Sequence, residues 1–239
     1  YAYKIKEYKT ISDKSFSNKT VLLLTDLNSI KTIKELYLQP KIKLAILPHT
    51  NKKNLSQYSE ILSNKLNKKV TFIENLTSKS TQEKLKNFKT TQIFLFDNIK
   101  NLKEEQKETS SKSHSKSNLV KTLQPHFDLF VNDSFSTASK EYASTVGFSY
   151  LLPTFIGRNF QKNLENLQEF KNIKNRITFV LGGKNSEQLI KFMEKNNKKQ
   201  HTFLTTGLFS HLCLKEKGIN LGNPSKLLKE KKLKSNKVL

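Results

Sequence analysis

Residues 128–147 read DLFVNDSFSTASKEYASTVG, and this stretch decides the fold. It begins with the apolar residues Leu129, Phe130 and Val131, a pattern typical of a strand buried on both faces. Polar residues follow directly from Asn132 onward. Ligands of open α/β sheets bind beyond the carboxyl ends of the strands. We therefore predict that this stretch is a buried strand whose end faces a ligand.

Five further apolar runs of strand length recur along the chain, with helix-length segments between most of them. They are VLLL (21–24), LAIL (44–47), VTFI (70–73), IFLF (93–96) and ITFVL (177–181). Residues 55–66 and 81–88 carry apolar side chains at helical spacing. Buried strands that alternate with helices predict a doubly wound parallel α/β sheet. The polar residues expected at its ligand edge are Asp26, His49, Asp97 and Asp133.

The composition indicates a folded protein with a large excess of positive charge. No apolar run approaches the roughly 20 residues that a membrane-spanning helix needs. The 43 basic against 20 acidic residues give a net charge of +23, and only Arg158 and Arg176 are arginine. A lysine-rich surface of this kind is typical of contact with the phosphate backbone of RNA or DNA. The alternative is a merely basic, solvated surface.

Cysteine and histidine usage points away from disulfide and metal chemistry. Cys213 is the single cysteine, which excludes an internal disulfide, and we interpret it as a small buried helical residue. His201 and His211 lack Cys or carboxylate partners at metal-binding spacing, so no metal is expected. The chain begins at Tyr1 without a methionine, which favours a removed targeting peptide or a start inside the gene product.

Two polar segments are interpreted as surface. Residues 108–118, ETSSKSHSKSN, have low complexity and predict a mobile loop with a solvated His114. Asp97 could form an acid pair with Glu104 and Glu105, but a helix cap and a solvated helix face are the favoured interpretation.

The last third of the chain predicts a second, smaller set of elements. Residues 157–172 predict a long amphipathic helix suited to bridging two domains. A short strand at 201–204 and a helix at 208–217 follow. The basic residues 226–239 predict either a helix or a disordered nucleic-acid arm.

The stretch at 128–147 resembles the signature of the phosphoglycerate kinase family, a hydrophobic strand followed by VND-[AS]-F-x-T-A-H-R-x-H-[AS]-S-T-V-G. Other segments resemble motifs of the same family in the same order. They are VLLLTDLNSI (21–30), AILPHTNKKN (45–54), FLFDNIKNLKEEQKE (94–108), LLPTFIGRNFQKNLENL (151–167), FVLGGKNSEQLI (179–190) and TTGLFSHLCLKEKGINLG (205–222). Each match is weak alone, but together, in order and with compatible spacing, they are specific. The resemblance implies the fold of this family.

The resemblance also implies site residues. In that family the first domain binds 3-phosphoglycerate or 1,3-bisphosphoglycerate, the second binds MgADP or MgATP, and phosphoryl transfer follows domain closure. The implied substrate-binding positions are Asp26, Asn28, His49, Lys52, Lys100 and Lys140. The implied nucleotide-binding positions are Gly182, Gly183 and Lys184.

The chain departs from the family pattern at its arginines. Lys52, Lys100 and Lys140 stand at three family arginines, and Ser139 stands where the family has a histidine. The segment 28–33 is too short to contain the remaining arginine. A lysine still attracts phosphate, but it lacks the planar fork that holds phosphate or carboxylate through two parallel hydrogen bonds. The departures therefore predict weakened or lost catalysis.

The nucleotide positions depart from the pattern as well. Asn185 stands at the family's lysine, with Lys184 one position early, and Gln188 replaces the following aspartate. A shift of one residue at a helix start turns a side chain by about 100 degrees. The sequence also ends soon after Gly222, before the family's later nucleotide-binding residues, so an incomplete nucleotide site is expected.

These observations lead to a leading hypothesis and two alternatives. The leading hypothesis is a catalytically inactive family member whose vestigial sites need no cofactor, reused as a basic structural subunit. Its expected setting is a ribonucleoprotein such as a mitochondrial or other organellar ribosome, with RNA phosphates and neighbouring proteins as partners. The first alternative is a cytoplasmic, lysine-substituted phosphoglycerate kinase that uses MgATP or MgADP and is seen as an incomplete chain. The second is a module that binds a phosphorylated acid without reaction.

The predicted domain organisation follows the resemblance. Residues 1–156 form a domain like the family's first domain, residues 157–175 form the interdomain helix, and residues 176–239 form a truncated remnant of the second domain with a basic tail.

Overall fold

A computed structural model describes residues 8–107, 109–171, 176–183, 186–197 and 201–223. The chain forms two compact units, Tyr1–Lys171 and Asn172–Leu239. The helix at 158–171 is grouped with the first unit. The predicted three-part division at residues 156 and 175 stays a prediction.

Parallel strands and connecting helices alternate along most of the chain. The strands are β1 (Thr20–Thr25), β2 (Lys43–Pro48), β3 (Val70–Ile73), β4 (Ile93–Phe96), β5 (Leu129–Asp133), β6 (Thr154–Ile156), β7 (Thr178–Gly182) and β8 (Thr202–Thr206). The α-helices are α1 (Lys31–Tyr37), α2 (Leu55–Leu66), α3 (Lys79–Lys86), α4 (Ser111–His114), α5 (Asn118–Leu123), α6 (Phe148–Leu151), α7 (Arg158–Lys171), α8 (Ser186–Lys195) and α9 (Gly207–Glu216). All six predicted apolar runs are strands.

The first unit is built on a six-stranded parallel sheet. Its strand order is β3-β4-β2-β1-β5-β6, so β1 lies between β2 and β5. In this register Leu23 pairs with Ile46 on one side and with Val131 on the other. The chain leaves β1 in one direction and returns on its other side at β5. This reversal next to β1 opens a crevice at the carboxyl ends of the strands.

Both faces of the sheet are covered, as a doubly wound fold requires. Val21 and Leu23 of β1 belong to one core cluster, and Leu22 and Leu24 belong to the other. All four side chains are buried because successive strand residues point to opposite faces and helices cover each face. The predicted doubly wound parallel α/β fold is confirmed.

The predicted mobile loop at 108–118 is wrong for the residues that the structure describes, 109–118. Ser110 caps α4 by accepting a hydrogen bond from the Ser113 N–H, and Ser117 caps α5 in the same way. His114 is only 2% exposed, so it is not solvated. Its backbone packs against Gly147, where an added Cβ would lie 3.2 Å from the His114 carbonyl oxygen. Serine caps and this close contact order a stretch whose composition alone indicates disorder.

The second unit contains a parallel pair of strands and two helices. β7 pairs with β8 throughout, from Thr178 with Thr202 to Gly182 with Thr206. Cys213 is buried in a small core with Ile190, Met193, Phe209 and Leu212, which confirms its predicted packing role. The predicted basic tail at 226–239 lies outside the described residues. Within the described part, no helix is long and apolar enough to cross a membrane.

Candidate functional site

A pocket of about 570 Å³ lies at the carboxyl ends of the strands in the first unit. Residues from four separate segments form its wall, each following a strand of the sheet. The predicted substrate-binding residues in the lining are Asp26, Asn28, His49, Lys52, Lys100 and Lys140. Further lining residues, which the motif comparison did not single out, are Thr50, Asn51, Gln106, Ser136, Thr137 and Tyr142. The structure thus brings together all six predicted positions, although their roles stay predictions.

A tight turn after β1 presents the first two site residues. Leu27 has a left-handed backbone with φ of 58°, which is uncommon for a branched residue and needs support from its surroundings. That support comes from Thr25, whose hydroxyl oxygen accepts from the Leu27 N–H at 3.1 Å. The Asp26 carboxylate accepts from the Asn28 N–H at 3.0 Å. Asp26 and Asn28 are therefore held together at the mouth of the sheet crevice.

Asn98 joins the segments that carry two of the site lysines. Its amide nitrogen donates to the Thr50 carbonyl at 2.7 Å, and its amide oxygen accepts from the Thr50 N–H at 3.3 Å. Lys100 Nζ then donates to the Asn51 side chain, and Lys52 Nζ lies 5.4 Å from the centre of the Tyr58 ring. The two hydrogen bonds between Asn98 and Thr50 hold the segments after β2 and β4 together, so Lys52 and Lys100 line the same pocket.

The segment after β5 supplies the third lysine. The Thr145 hydroxyl donates to the Lys140 carbonyl at 2.7 Å and accepts from the Tyr142 N–H at 3.0 Å. The Tyr142 ring stacks on the His49 ring, with centroids 5.5 Å apart. Among the described residues that line the pocket, three lysines face one acid, Asp26. The pocket therefore favours an anion.

Glu105 lies behind the pocket wall. The prediction that it belongs to a solvated helix face is therefore wrong. Glu105 is 0% exposed, and its carboxylate accepts from the Ser144 N–H at 2.9 Å and from the Ser144 hydroxyl. Burial raises the pKa of Glu105 to about 7. The neighbouring Glu104 accepts from the N–H groups of Asn118 and Leu119 at the start of α5, so its carboxylate caps that helix.

His49 faces the buried carboxylate. The distance between His49 Nε2 and Glu105 Oε1 is 3.9 Å. Burial, with a contribution from the Lys100 charge, lowers the pKa of His49. A buried imidazole beside a buried carboxyl is a pair whose protonation depends on nearby charge.

Asp133 and Arg158 support the site from one side rather than lining it. Asp133 is 1% exposed, and its Oδ1 accepts from the N–H groups of Asn159 and Phe160 at the start of α7. Burial raises the pKa of Asp133 to about 6. Arg158 forms a bidentate ion pair with Glu35, and this pair holds α7 beside α1. Asp133 was expected at the ligand edge, and it lies there as a helix cap.

The second unit contains the predicted nucleotide turn. Gly182 ends β7 and Gly183 follows it with φ of 128°, a conformation that favours glycine. α8 begins at Ser186, so a strand, a glycine turn and a helix N-terminus follow one another as in many phosphate sites. Lys184 lies outside the described residues. Within the part of the chain that the structure covers, no group of three His, Cys, Asp or Glu residues could hold a metal ion.

Comparison with known proteins decides the family. The family model described as "Phosphoglycerate kinase" matches residues 11–239. The chain belongs to the phosphoglycerate kinase family. The phosphoglycerate kinase of Sulfolobus acidocaldarius is 32% identical over 250 residues, which cover 93% of this chain and 60% of that protein. The phosphoglycerate kinase of Archaeoglobus fulgidus is 30% identical, and the matched region covers 92% of this chain and 60% of that protein.

Solved structures of phosphoglycerate kinases have the same fold. The crystal structure of phosphoglycerate kinase from Pyrococcus horikoshii OT3 matches with a TM-score of 0.80 and 28% identity, over 93% of this chain and 61% of that one. The phosphoglycerate kinase of Coxiella burnetii, at 24% identity and a TM-score of 0.65, supports the fold alone. The chain spans about 60% of the length of the family members it matches.

Proposed function

We propose that the first unit binds a small phosphorylated acid of the phosphoglycerate type. The observation that carries this proposal is the meeting of the six motif positions in one pocket of about 570 Å³. The pocket is basic, it lies at the sheet crevice where α/β folds bind ligands, and its size suits a small metabolite. Both relatives named above are phosphoglycerate kinases, which supports the same substrate class.

The side chains offer complementary groups to such a ligand. Lys52, Lys100 and Lys140 provide positive charges for a phosphate and a carboxylate, and Asp26 can accept a hydrogen bond from a hydroxyl group. A lysine binds phosphate as a point charge without the two parallel hydrogen bonds of an arginine. We therefore expect the ligand to bind more weakly than it would at an arginine-based site.

We propose further that this chain binds without efficient phosphoryl transfer. Transfer between bound groups depends on precise positioning, and three lysines in place of planar guanidinium forks hold a substrate less rigidly. Gly182 and Gly183 fit a phosphate contact, but a glycine turn before a helix does not by itself make a nucleotide site. Transfer from 1,3-bisphosphoglycerate to ADP by the purified chain would contradict this proposal.

The binding proposal predicts opposite effects of two substitutions at Lys140. In calorimetric titration with 3-phosphoglycerate, Lys140→Gln should weaken binding about tenfold, because one charged contact is lost. Lys140→Arg should tighten binding severalfold, because the guanidinium restores a bidentate contact. The exposed Lys121 on α5 is a matched control, and Lys121→Gln should bind like the wild type. Absence of heat with the wild type at millimolar ligand would refute the proposal.

A second candidate function is supported by a different edge of the molecule. The amino-terminal ends of β1, β2, β3 and β4 lie together because the strands are parallel. Lysines occur at each of these ends, and we call them the amino-edge lysines. They are Lys19, Lys41, Lys43, Lys69 and Lys89. Lys43 and Lys19 are adjacent, since the Lys43 N–H donates to the Lys19 carbonyl at 3.0 Å. Asp128 at the same edge accepts from the Thr20 N–H at 2.8 Å.

A row of lysines opposite the pocket suits a polyanion. Strands are spaced about 4.8 Å apart, so four adjacent strand ends extend over roughly 15 Å, comparable to a few successive phosphates of RNA. Together with the net charge of +23, this row supports a non-catalytic role as a basic subunit of a ribonucleoprotein, with an organellar ribosome as its setting.

The second candidate predicts a location-dependent loss of RNA binding. Replacing Lys19, Lys41, Lys69 and Lys89 by glutamine should weaken the binding of a short single-stranded RNA at least tenfold and lower the dependence of affinity on salt. The matched control is the quadruple variant of Lys31, Lys52, Lys100 and Lys140, which removes the same charge from the opposite edge. Fluorescence anisotropy at several salt concentrations measures both. Equal losses in the two variants would rule out the amino edge as the contact surface.

A further inference from the structure

A buried carboxyl links two walls of the pocket. Glu105 accepts two hydrogen bonds from Ser144, and its own carbonyl accepts from the Ala143 N–H at 3.2 Å. Glu105 follows the turn that carries Lys100, and Ser144 follows the segment that carries Lys140. The carboxyl therefore holds together two segments that contribute lysines to the same pocket.

The Oε1 side of this carboxyl, which also accepts from the Ser144 hydroxyl, faces His49. His49 Nε2 lies 3.9 Å from Glu105 Oε1, and this nitrogen has no hydrogen-bond partner among the residues that the structure describes. The His49 side chain is 10% exposed, its ring lines the pocket, and Tyr142 stacks on it. An approach of about 1 Å would convert the contact into a hydrogen bond. The geometry is that of a histidine poised to exchange a proton with a carboxyl group.

The surrounding charges act on this pair from several elements. Lys100, on the turn after β4, disfavours a positive charge on His49. Glu104 disfavours a negative charge on Glu105 from the adjacent position in the chain. Asp26 and Lys140 line the same pocket as His49 and contribute opposite charges there. In the empty pocket these neighbours and the burial of both groups favour the uncharged pair.

We propose that Glu105 is a positioning residue that stores a proton for His49 and transfers it when an anion enters the pocket. The inference rests on the proposed binding of a phosphorylated acid and identifies the source of one positive charge at that site. In the transfer, the O–H bond of the Glu105 carboxyl breaks and an N–H bond forms at His49 Nε2. The pair keeps the same net charge, and no proton is taken from solvent.

The physical reason is the field of the anion. A negative charge beside the His49 ring stabilises the imidazolium, and the buried carboxylate that remains stabilises it from the other side. Ser144 keeps its two hydrogen bonds to Glu105 after ionisation, and hydrogen bonds to an ionised carboxylate are stronger than those to a neutral carboxyl. The pair therefore supplies a cation to the pocket only when an anion is present.

Calorimetric titration with sulfate, which does not titrate near neutral pH, tests the inference. Measurements near pH 6, where the Glu105 carboxyl is mostly protonated, in buffers of different ionisation enthalpy give the number of protons taken up per anion. The wild type should take up close to none. Glu105→Gln has no stored proton, so it should take up at least half a proton and lose affinity by up to about tenfold per pH unit above the His49 pKa. Similar uptake by both proteins would overturn the inference.

A matched control and a ligand-free measurement separate the possible failures. Glu104→Gln removes a carboxylate one position away that does not face His49, and it should take up protons like the wild type. In the free protein, 13C NMR of the Glu105 carboxyl should give a titration midpoint clearly above that of an ordinary glutamate, because the proton stays on this carboxyl when no anion is bound. An ordinary midpoint means that no proton is stored, whatever binds. If sulfate and 3-phosphoglycerate both fail to bind, the proposed function is refuted, and this midpoint still decides whether Glu105 holds the proton. If Glu105→Gln does not fold, sulfate must raise the His49 midpoint and lower the Glu105 midpoint of the wild type, or the inference fails.

Discussion

Gly157→Ala is expected to destabilise the first unit by about 3 kcal/mol, the upper end of the range for overpacking. A Cβ added at Gly157 would lie 2.4 Å from Asp133 Oδ1, 2.5 Å from Asp133 Cγ and 2.7 Å from Asp133 Cβ. The carboxylate cannot move away freely, because its Oδ1 accepts from the N–H groups of Asn159 and Phe160. The variant must therefore either strain the strand or lose the cap of α7.

A double-mutant cycle with Asp133 tests this cause. Asp133→Gly removes the three atoms that would lie nearest to the new Cβ, so Gly157→Ala should cost far less in that background. Urea unfolding monitored by circular dichroism gives the four free energies that the cycle needs. Additive effects would show that the cost at Gly157 does not come from the contact with Asp133.

The sheet was predictable from sequence because its strands are buried on both faces. Leu22 and Leu23 point to opposite core clusters, so the strand reads as a continuous apolar run without alternation. β6 was not predicted, since Thr154–Ile156 is only three residues long and lies between Pro153 and Gly157. α1 was also missed, because it is seven residues long and lacks a side-chain N-cap hydrogen bond. Short elements owe their structure to packing rather than to local pattern.

The pocket positions were predictable because the motif residues directly follow strand ends, and parallel strands bring those ends to one edge. The burial of Glu105 could not be predicted, because its sequence context, KEEQK (103–107), is typical of an exposed charged segment. Its burial depends on Ser144, which lies 39 positions further along the chain. His114 was misread for the same reason, since its contact with Gly147 is also distant in sequence. Contacts of this kind leave no local signal.

The stabilising contribution of two buried carboxyls is expected to fall as the pH rises from about 4 to about 7, because both prefer their protonated forms in the folded protein. Burial raises the pKa of Glu105 from 4.5 to about 7 and that of Asp133 from 3.8 to about 6. Between these values the folded protein binds more protons than the unfolded chain, so the free energy of unfolding decreases with pH. The stabilisation is complete below about pH 4 and is lost as the pH passes 6 to 7. Each shift corresponds to a contribution on the order of 3 kcal/mol.

Two histidines oppose this trend, so the comparison of variants is decisive. Burial lowers the pKa values of His49 and His126, which adds stability as the pH rises towards 6.5. Glu105→Gln and Asp133→Asn remove one carboxyl each and leave both histidines in place. The difference in unfolding free energy between wild type and each variant, measured by urea denaturation at several pH values, isolates that carboxyl. Because protonated wild type is favoured at low pH, this difference should shrink with rising pH by about 3 kcal/mol. A constant difference for either variant would mean that its carboxyl titrates alike in the folded and unfolded states.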